Sequence, residues 1–233
     1  MPSPLTPPSP SGPTVLPDAV LTPLLARARR LVAQVSGGRP VVLGVSGAPG
    51  AGKTTLAEAL VAALGAGVGR DGPLPVAHLP MDGFHLADAQ LARLGLAERK
   101  GSPETFDVDG YLAVLQRVRS GSGRPVYAPG FERDLEQPIA AAVVVEPGVR
   151  LVVTEGNYLL LDDPAWRGVG AAMDEVWYVE LDEPERLRRL VERHVAFGKA
   201  PESARAWALG PDQANAATVA ATRARADLVV TLG

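Results

Sequence analysis

The stretch Val41-Val42-Leu43-Gly44-Val45-Ser46-Gly47-Ala48-Pro49-Gly50-Ala51-Gly52-Lys53-Thr54 decides how this chain is read. Val41 to Val45 is a short β-branched run bounded by Pro40 and a Gly-rich turn, which reads as a buried strand. Thr54 to Leu64 reads as a helix, so Gly47 to Thr54 joins a strand directly to a helix. That connection matches G-x-x-x-x-G-K-[ST] in full. Its glycines let the backbone curl so that successive N–H groups point at phosphate oxygens, and the helix N-terminus adds partial positive charge. Gly47, Ala48, Pro49, Gly50, Ala51, Gly52, Lys53, Thr54 and Thr55 are therefore the expected nucleotide-binding residues. Lys53 should reach the β- and γ-phosphates, and Thr54 should offer its hydroxyl to Mg²⁺. A Gly-rich turn with an incidental lysine is the other reading, and the flanking strand and helix weigh against it. Because this loop serves kinases, GTPases, ATPases and motors alike, the nearby carboxylates must discriminate.

Working outward, further strands are predicted at Val76 to Leu79, Arg150 to Thr154, Glu175 to Leu181 and Leu228 to Leu232, with helical patterns between or after them. Leu21, Leu24, Leu25, Ala28, Leu31, Val32 and Val35 form one helical stripe, which Gly37 and Gly38 should end. This alternation predicts an α/β fold with a mostly parallel five-stranded sheet and helices on both faces. Ligands then sit at the carboxyl ends of the strands. Leu151-Val152-Val153-Thr154-Glu155-Gly156 is an apolar strand ending in an acid, which makes Glu155 a candidate Mg²⁺ partner; a solvated strand-end acid is the alternative. Gly156 permits close approach of backbone or ligand. Asp82, in Pro80-Met81-Asp82-Gly83-Phe84-His85, follows the second strand and could take the proton of an attacking hydroxyl. Asp-Gly is also a common turn dipeptide. His85 divides between substrate contact and packing.

The bulk composition sets limits. The chain has 233 residues with 46% hydrophobic and 21% charged, which suits a globular protein large enough to bury a core without staples. Without cysteine there are no disulfides and no thiolate metal sites. A net charge of -3 and the lack of a long basic run argue against nucleic-acid binding. No run approaches the roughly 18 apolar residues of a membrane span, and no secretory signal opens the chain, so a cytoplasmic protein is expected. Of 23 Lys and Arg, only Lys53, Lys100 and Lys199 are lysines, which makes each worth locating. The Pro-rich segment 1–17 reads as a disordered tail, and 18–233 as one domain.

Together, Gly47 to Thr54, Met81-Asp82-Gly83-Phe84-His85 and Thr154-Glu155-Gly156 resemble the uridine kinase, phosphoribulokinase and bacterial pantothenate kinase superfamily. Lys100-Gly101-Ser102-Pro103-Glu104-Thr105-Phe106-Asp107 is similar to a substrate-side segment of the pantothenate kinases, and Thr222-Arg223-Ala224-Arg225-Ala226-Asp227 to their closing motif. The chain looks most like the nucleoside/nucleotide kinase-like branch, which includes proteins called fructokinases. The resemblance implies a P-loop NTPase fold with a mobile helical lid, here around 183–205. It implies Lys53 and Thr54 on the triphosphate and metal, Asp82 as base, Glu155 in the metal site, ATP and Mg²⁺ as cofactors, and a homodimer by analogy. Departures are a short chain, only 5% aromatic residues and no assignable uracil-recognition motif.

Asp182-Glu183-Pro184-Glu185 reads as a helix start, with Asp182 as cap and Glu185 placed for a capping box. Arg186, Arg189 and Arg193 follow at i, i+3 and i+7. Such a row is often a solvated face, but here it lies where related kinases carry lid arginines; Arg189 and Arg193 are favoured, with Lys199 a third candidate. Arg124 to Asp134 reads as an irregular segment in which Arg133 and Asp134 could grip substrate while Tyr127 and Phe131 wall the pocket. They could equally be loop residues held by packing. Asn215 and Arg223 are placed near the adenine. The leading reading is a kinase moving the γ-phosphate of MgATP to a hydroxyl of a nucleoside, sugar or pantothenate-like alcohol. The competing one is a regulatory ATPase that uses its phosphate loop as a switch.

Overall fold

The apolar runs that read as strands are strands because their side chains fill two layers at once. Val42 and Val152 point to one face, and Val41, Leu43, Val45, Leu151 and Val153 to the other. A strand buried on both faces needs continuous apolar sequence rather than alternation. The computed structural model describes residues 16–36, 38–68 and 72–232. In it β1 (Val41–Gly47), β2 (Val76–Pro80), β5 (Leu151–Gly156), β6 (Glu175–Glu180) and β7 (Leu228–Thr231) form one parallel sheet ordered β2-β5-β1-β6-β7. Helices α1 (Asp18–Gln34) and α2 (Lys53–Gly65) belong to one face. On the other lie α4 (Val108–Arg119) and α5 (Arg167–Ala171), with α3 (Asp88–Leu94) near the end of β2. After β6 come α6 (Glu183–Ala196), α7 (Pro201–Leu209) and α8 (Pro211–Ala220). No described helix is long and apolar enough to cross a membrane.

Three expectations need correction. The segment read as irregular is half of an antiparallel hairpin, β3 (Val126–Glu132) with β4 (Gln137–Val145), whose register shifts between Ala128 and Gly130. Pro125, Pro129 and Pro138 disguise it, and the bulge absorbs Pro129. The tail assignment fails at its last two residues: Leu16 is buried at 6% exposure, and the Pro17 carbonyl accepts the N–H groups of Val20 and Leu21 to start α1. The rest of the expected tail lies outside the described residues, as does Gly37. Asp182 occupies the N-cap position of α6 but makes no side-chain cap, and the other half of the expected capping box is missing because Glu185 is engaged by Arg188 and Arg189.

The sheet is pinned at the end remote from the phosphate loop by acids that close its ladders. Asp174 accepts the Val42 N–H (2.9 Å) and two hydrogen bonds from Arg39 (2.6 and 3.0 Å), with Arg119 at 3.1 Å. Asp227, the last residue of the Thr222–Asp227 motif, likewise accepts the Val176 N–H at 2.7 Å between β6 and β7. Burial alone would raise the Asp174 pKa; the hydrogen bonds from Arg39 and Val42, with Arg119 beside them, outweigh it and hold the carboxyl below its usual value. A depressed folded pKa stabilises above the unfolded pKa and is lost as pH falls through the folded one. Asp174→Asn should therefore cost about 2 kcal/mol at neutral pH. The difference from wild type in urea unfolding should narrow as the pH falls below the ordinary carboxylate range, and a gap that does not narrow on acidification would refute this role.

Candidate functional site

The phosphate loop sits where β1 ends, between the ends of β5 and β6. Gly50 and Gly52 have positive φ, and Gly52 is the N-cap of α2. Lys53 is buried, and its Nζ donates to the Ala48 carbonyl at 3.1 Å. Burial pushes its pKa down to about 8, against the pull of Glu155 and Asp82. Glu155 is 3% exposed, and its Oε1 accepts the Thr54 hydroxyl at 3.1 Å. Its pKa is raised by burial and then by Asp82, with Lys53 and the Thr54 hydrogen bond opposing. A buried ammonium with donors to spare fits phosphate oxygens. The hydroxyl and carboxylate of Thr54 and Glu155 are hard oxygen donors that suit Mg²⁺. Among the described residues no group of three or more His, Cys, Asp or Glu could hold a metal by itself. That fits a cation that keeps waters and phosphate ligands.

Asp82 lies in a 3₁₀ turn (Met81–Phe84) directly after β2. Two close approaches set its place. A Cβ on Gly156 would lie 2.6 Å from Met81, and one on Gly83 would lie 2.1 Å from the Pro129 carbonyl oxygen. The turn is thus clamped between the end of β5 and strand β3. His85 is held by the Asp82 carbonyl (2.8 Å), by a β-bridge to Phe106 and by the rings of Phe106 and Phe131, at 4.1 and 5.0 Å. Burial lowers its pKa. The segment Lys100–Asp107 is stitched to this turn, since Leu86 donates to the Thr105 carbonyl and Asp107 to the Phe84 carbonyl. Asp107 then caps α4 through the Gly110 N–H.

Two cavities meet over these residues. One, about 570 Å³, is lined by Gly50, Gly52, Lys53, Thr54, Thr55 and Arg189. The other, about 620 Å³, is lined by Asp82, His85, Lys100, Phe131, Asn157 and Asn215 among others. Arg133, Arg193 and Phe197 border both. Arg133 comes from the hairpin, with Nη2 3.7 Å from Asp82 Oδ2 and its guanidinium over the Phe197 ring at 6.0 Å. The sequence-derived residues thus converge, with exceptions. Tyr127 is 57% exposed on the outer face of β3 opposite Val144, because alternation turns it away from Val126 and Ala128. Asp134 is exposed on the hairpin turn and lines neither cavity. Asn215 lies in the Asp82 cavity and donates to the Gly101 carbonyl at 3.3 Å, while Arg223 is paired with Glu180 on the surface. Lys199 lines the Asp82 cavity and not the phosphate-loop one.

Arg186 has a role that its place in the arginine row does not distinguish. It is buried, and it donates to the Pro49 carbonyl (3.2 Å) and to Gln213 (2.5 Å), tying α6 and α8 to the phosphate loop. Phe197 and Trp207 gave no sequence signal, since an isolated aromatic at a helix end or in a helix reads as packing.

No family model matches the chain. An ATP-dependent kinase-like protein of Aspergillus versicolor is 38% identical over 133 residues, 54% of this chain and 77% of that protein. A candidate uridine kinase of Schizosaccharomyces pombe is 33% identical over 162 residues, 68% of each chain. The crystal structure of a candidate fructose transport system kinase from Silicibacter sp. TM1040 superposes with a TM-score of 0.80 at 37% identity, over 90% of this chain and 98% of that one. The protein is a P-loop kinase. It belongs to the uridine kinase and pantothenate kinase superfamily.

The clamp on Asp82 is testable through Gly83. Gly83→Ala forces backbone apart at Pro129 and should destabilise the protein by about 2 kcal/mol, the scale of overpacking. Urea unfolding of the variant at wild-type midpoint would show that the close approach is not tight.

Proposed function

We propose that this protein transfers the γ-phosphoryl group of ATP to a hydroxyl of a small metabolite held in the Asp82 cavity. The observation that carries the reading is the arrangement of the two cavities, one on the phosphate loop and one on Asp82, joined at Arg133 and Arg193. Positioning and charge stabilisation are most of what phosphoryl transfer asks of a protein. The loop N–H groups and Lys53 hold the triphosphate, and Thr54 with Glu155 holds Mg²⁺, which neutralises charge on the phosphate oxygens when bound. Asp82 accepts the proton of the attacking hydroxyl, so the new O–P bond forms as the bond to the ADP oxygen breaks. Arg193 and Arg189 balance charge on the transferred group, and Arg133 orients Asp82.

The segment around 183–205 acts as the lid in this reading, and its first half is anchored. Arg186 binds the loop, and Leu190 is fully buried, so closure is confined to the part beyond Leu190, around Gly198. The named relatives keep sugar, nucleoside and pantothenate-like alcohols in view. The test is ADP release from MgATP with sugars, nucleosides and pantothenate, comparing wild type with Asp82→Asn. One acceptor should stimulate release, and Asp82→Asn should lower kcat by about 10²–10⁴-fold, the range of general base catalysis. Acceptor-stimulated release that survives Asp82→Asn would contradict the assignment.

A further inference from the structure

Lys53, Lys100 and Lys199 are the only lysines of the chain, and all three line the paired cavities. Two are occupied within the protein. Lys53 donates to the Ala48 carbonyl, and Lys100 to Asp88 Oδ1 at 2.7 Å and the Glu136 carbonyl at 2.6 Å. Lys199 is different. Among the described residues no carboxylate or carbonyl accepts from its ammonium, whose described contact is the face of Trp207 at 4.9 Å from the ring centroid. Its backbone N–H donates to the His194 carbonyl at 3.0 Å, which fixes where its side chain starts.

The acids around it are largely spoken for. Asp82 faces Arg133 at 3.7 Å, Asp88 holds Lys100, and Asp212 meets His194 Nε2 at 2.7 Å. Glu136 remains, on the turn of the hairpin. Arg193 and Arg133 also border the donor cavity, so among the described residues Lys199 is the acceptor-side cation with no carboxylate or carbonyl partner and no share in the donor site. A neutral polyol needs matched donors and acceptors, and a lone ammonium adds little to its recognition. An anion gains a charge-assisted hydrogen bond there, at an exposed ammonium held beside the Trp207 ring.

We propose that the acceptor carries an anionic group, carboxylate or phosphate, besides the hydroxyl that is phosphorylated, and that Lys199 on Trp207 receives it. This rests on the kinase reading above, and it makes Lys199 a residue that sets specificity rather than one that stabilises the transferred phosphoryl.

The test uses matched acceptors: glycerol, glycerate and glycerol 3-phosphate; glucose, gluconate and glucose 6-phosphate; pantothenol and pantothenate. Each is assayed for MgATP-dependent ADP release and titrated without nucleotide while tryptophan emission is followed. Trp166 and Trp177 are core residues, so a saturable change reports Trp207. An acidic member should exceed its neutral partner in kcat/KM by about tenfold or more, the scale of one charge-assisted hydrogen bond. Carboxylate and phosphate members separate the two sources of charge. Lys199→Gln should raise KM for that acid by a similar factor with kcat little changed and abolish the emission change, and Lys199→Arg should restore part of both. A neutral acceptor preferred over its acids, with KM indifferent to Lys199→Gln and turnover dependent on Asp82, overturns the anionic subsite and leaves the kinase reading standing. Slow hydrolysis unaffected by every acceptor and by Asp82→Asn overturns both.

Discussion

An ammonium and a carboxylate, Lys53 in the first turn of α2 and Glu155 near the end of β5, are buried within each other's electrostatic reach, and the rest of the site depends on keeping them there. Burying either alone is costly, as the fall of the lysine pKa to about 8 and the rise of the glutamate pKa show. The structure offsets that cost with a carbonyl for Lys53, a hydroxyl for Glu155 and their mutual attraction. In the proposed reaction a bound triphosphate would supply further partners. The sheet order β2-β5-β1-β6-β7 makes this possible, because it sets β1 and β5 side by side in register from Val41 opposite Leu151 to Ser46 opposite Gly156.

A second constraint is steric. Asp82 reaches the same cleft only because two glycines let three backbone segments meet, the end of β5, the turn after β2 and the hairpin. The hairpin then contributes Arg133 and Phe131 to the wall, and the Lys100–Asp107 segment closes the far side through backbone hydrogen bonds to the turn. Opposite this wall, α6 leans on the phosphate loop through Arg186. The phosphate-loop and Asp82 cavities therefore share the border residues Arg133, Arg193 and Phe197, an arrangement that suits the proposed direct transfer.

The features that can be read from the sequence are those fixed locally. Five strands announced themselves as β-branched apolar runs, and the phosphate loop is a contiguous motif whose flanks confirm its context. Asp82 and Glu155 followed from the rule that parallel sheets work at their carboxyl ends. The hairpin was hidden because Pro125, Pro129 and Pro138 break the strand pattern while a bulge accommodates them. Without it, Tyr127 and Phe131 could not be sorted: one faces solvent and the other the cavity, and only the register decides. Asp134, Asn215 and Lys199 were displaced from their expected surroundings for a related reason, since long-range packing, not spacing, sets where a loop or a helix end points. Arg186 shows the same limit, for nothing in its heptad-like row marks it as the buried member.

The central claim is that the two cavities deliver a phosphoryl group from ATP to a bound hydroxyl rather than to water. The direct measurement is ³¹P NMR of a reaction containing the protein, MgATP and the best acceptor of the panel. Transfer to a hydroxyl gives a new phosphomonoester resonance growing in step with ADP, with little inorganic phosphate. ADP accompanied only by inorganic phosphate would contradict it.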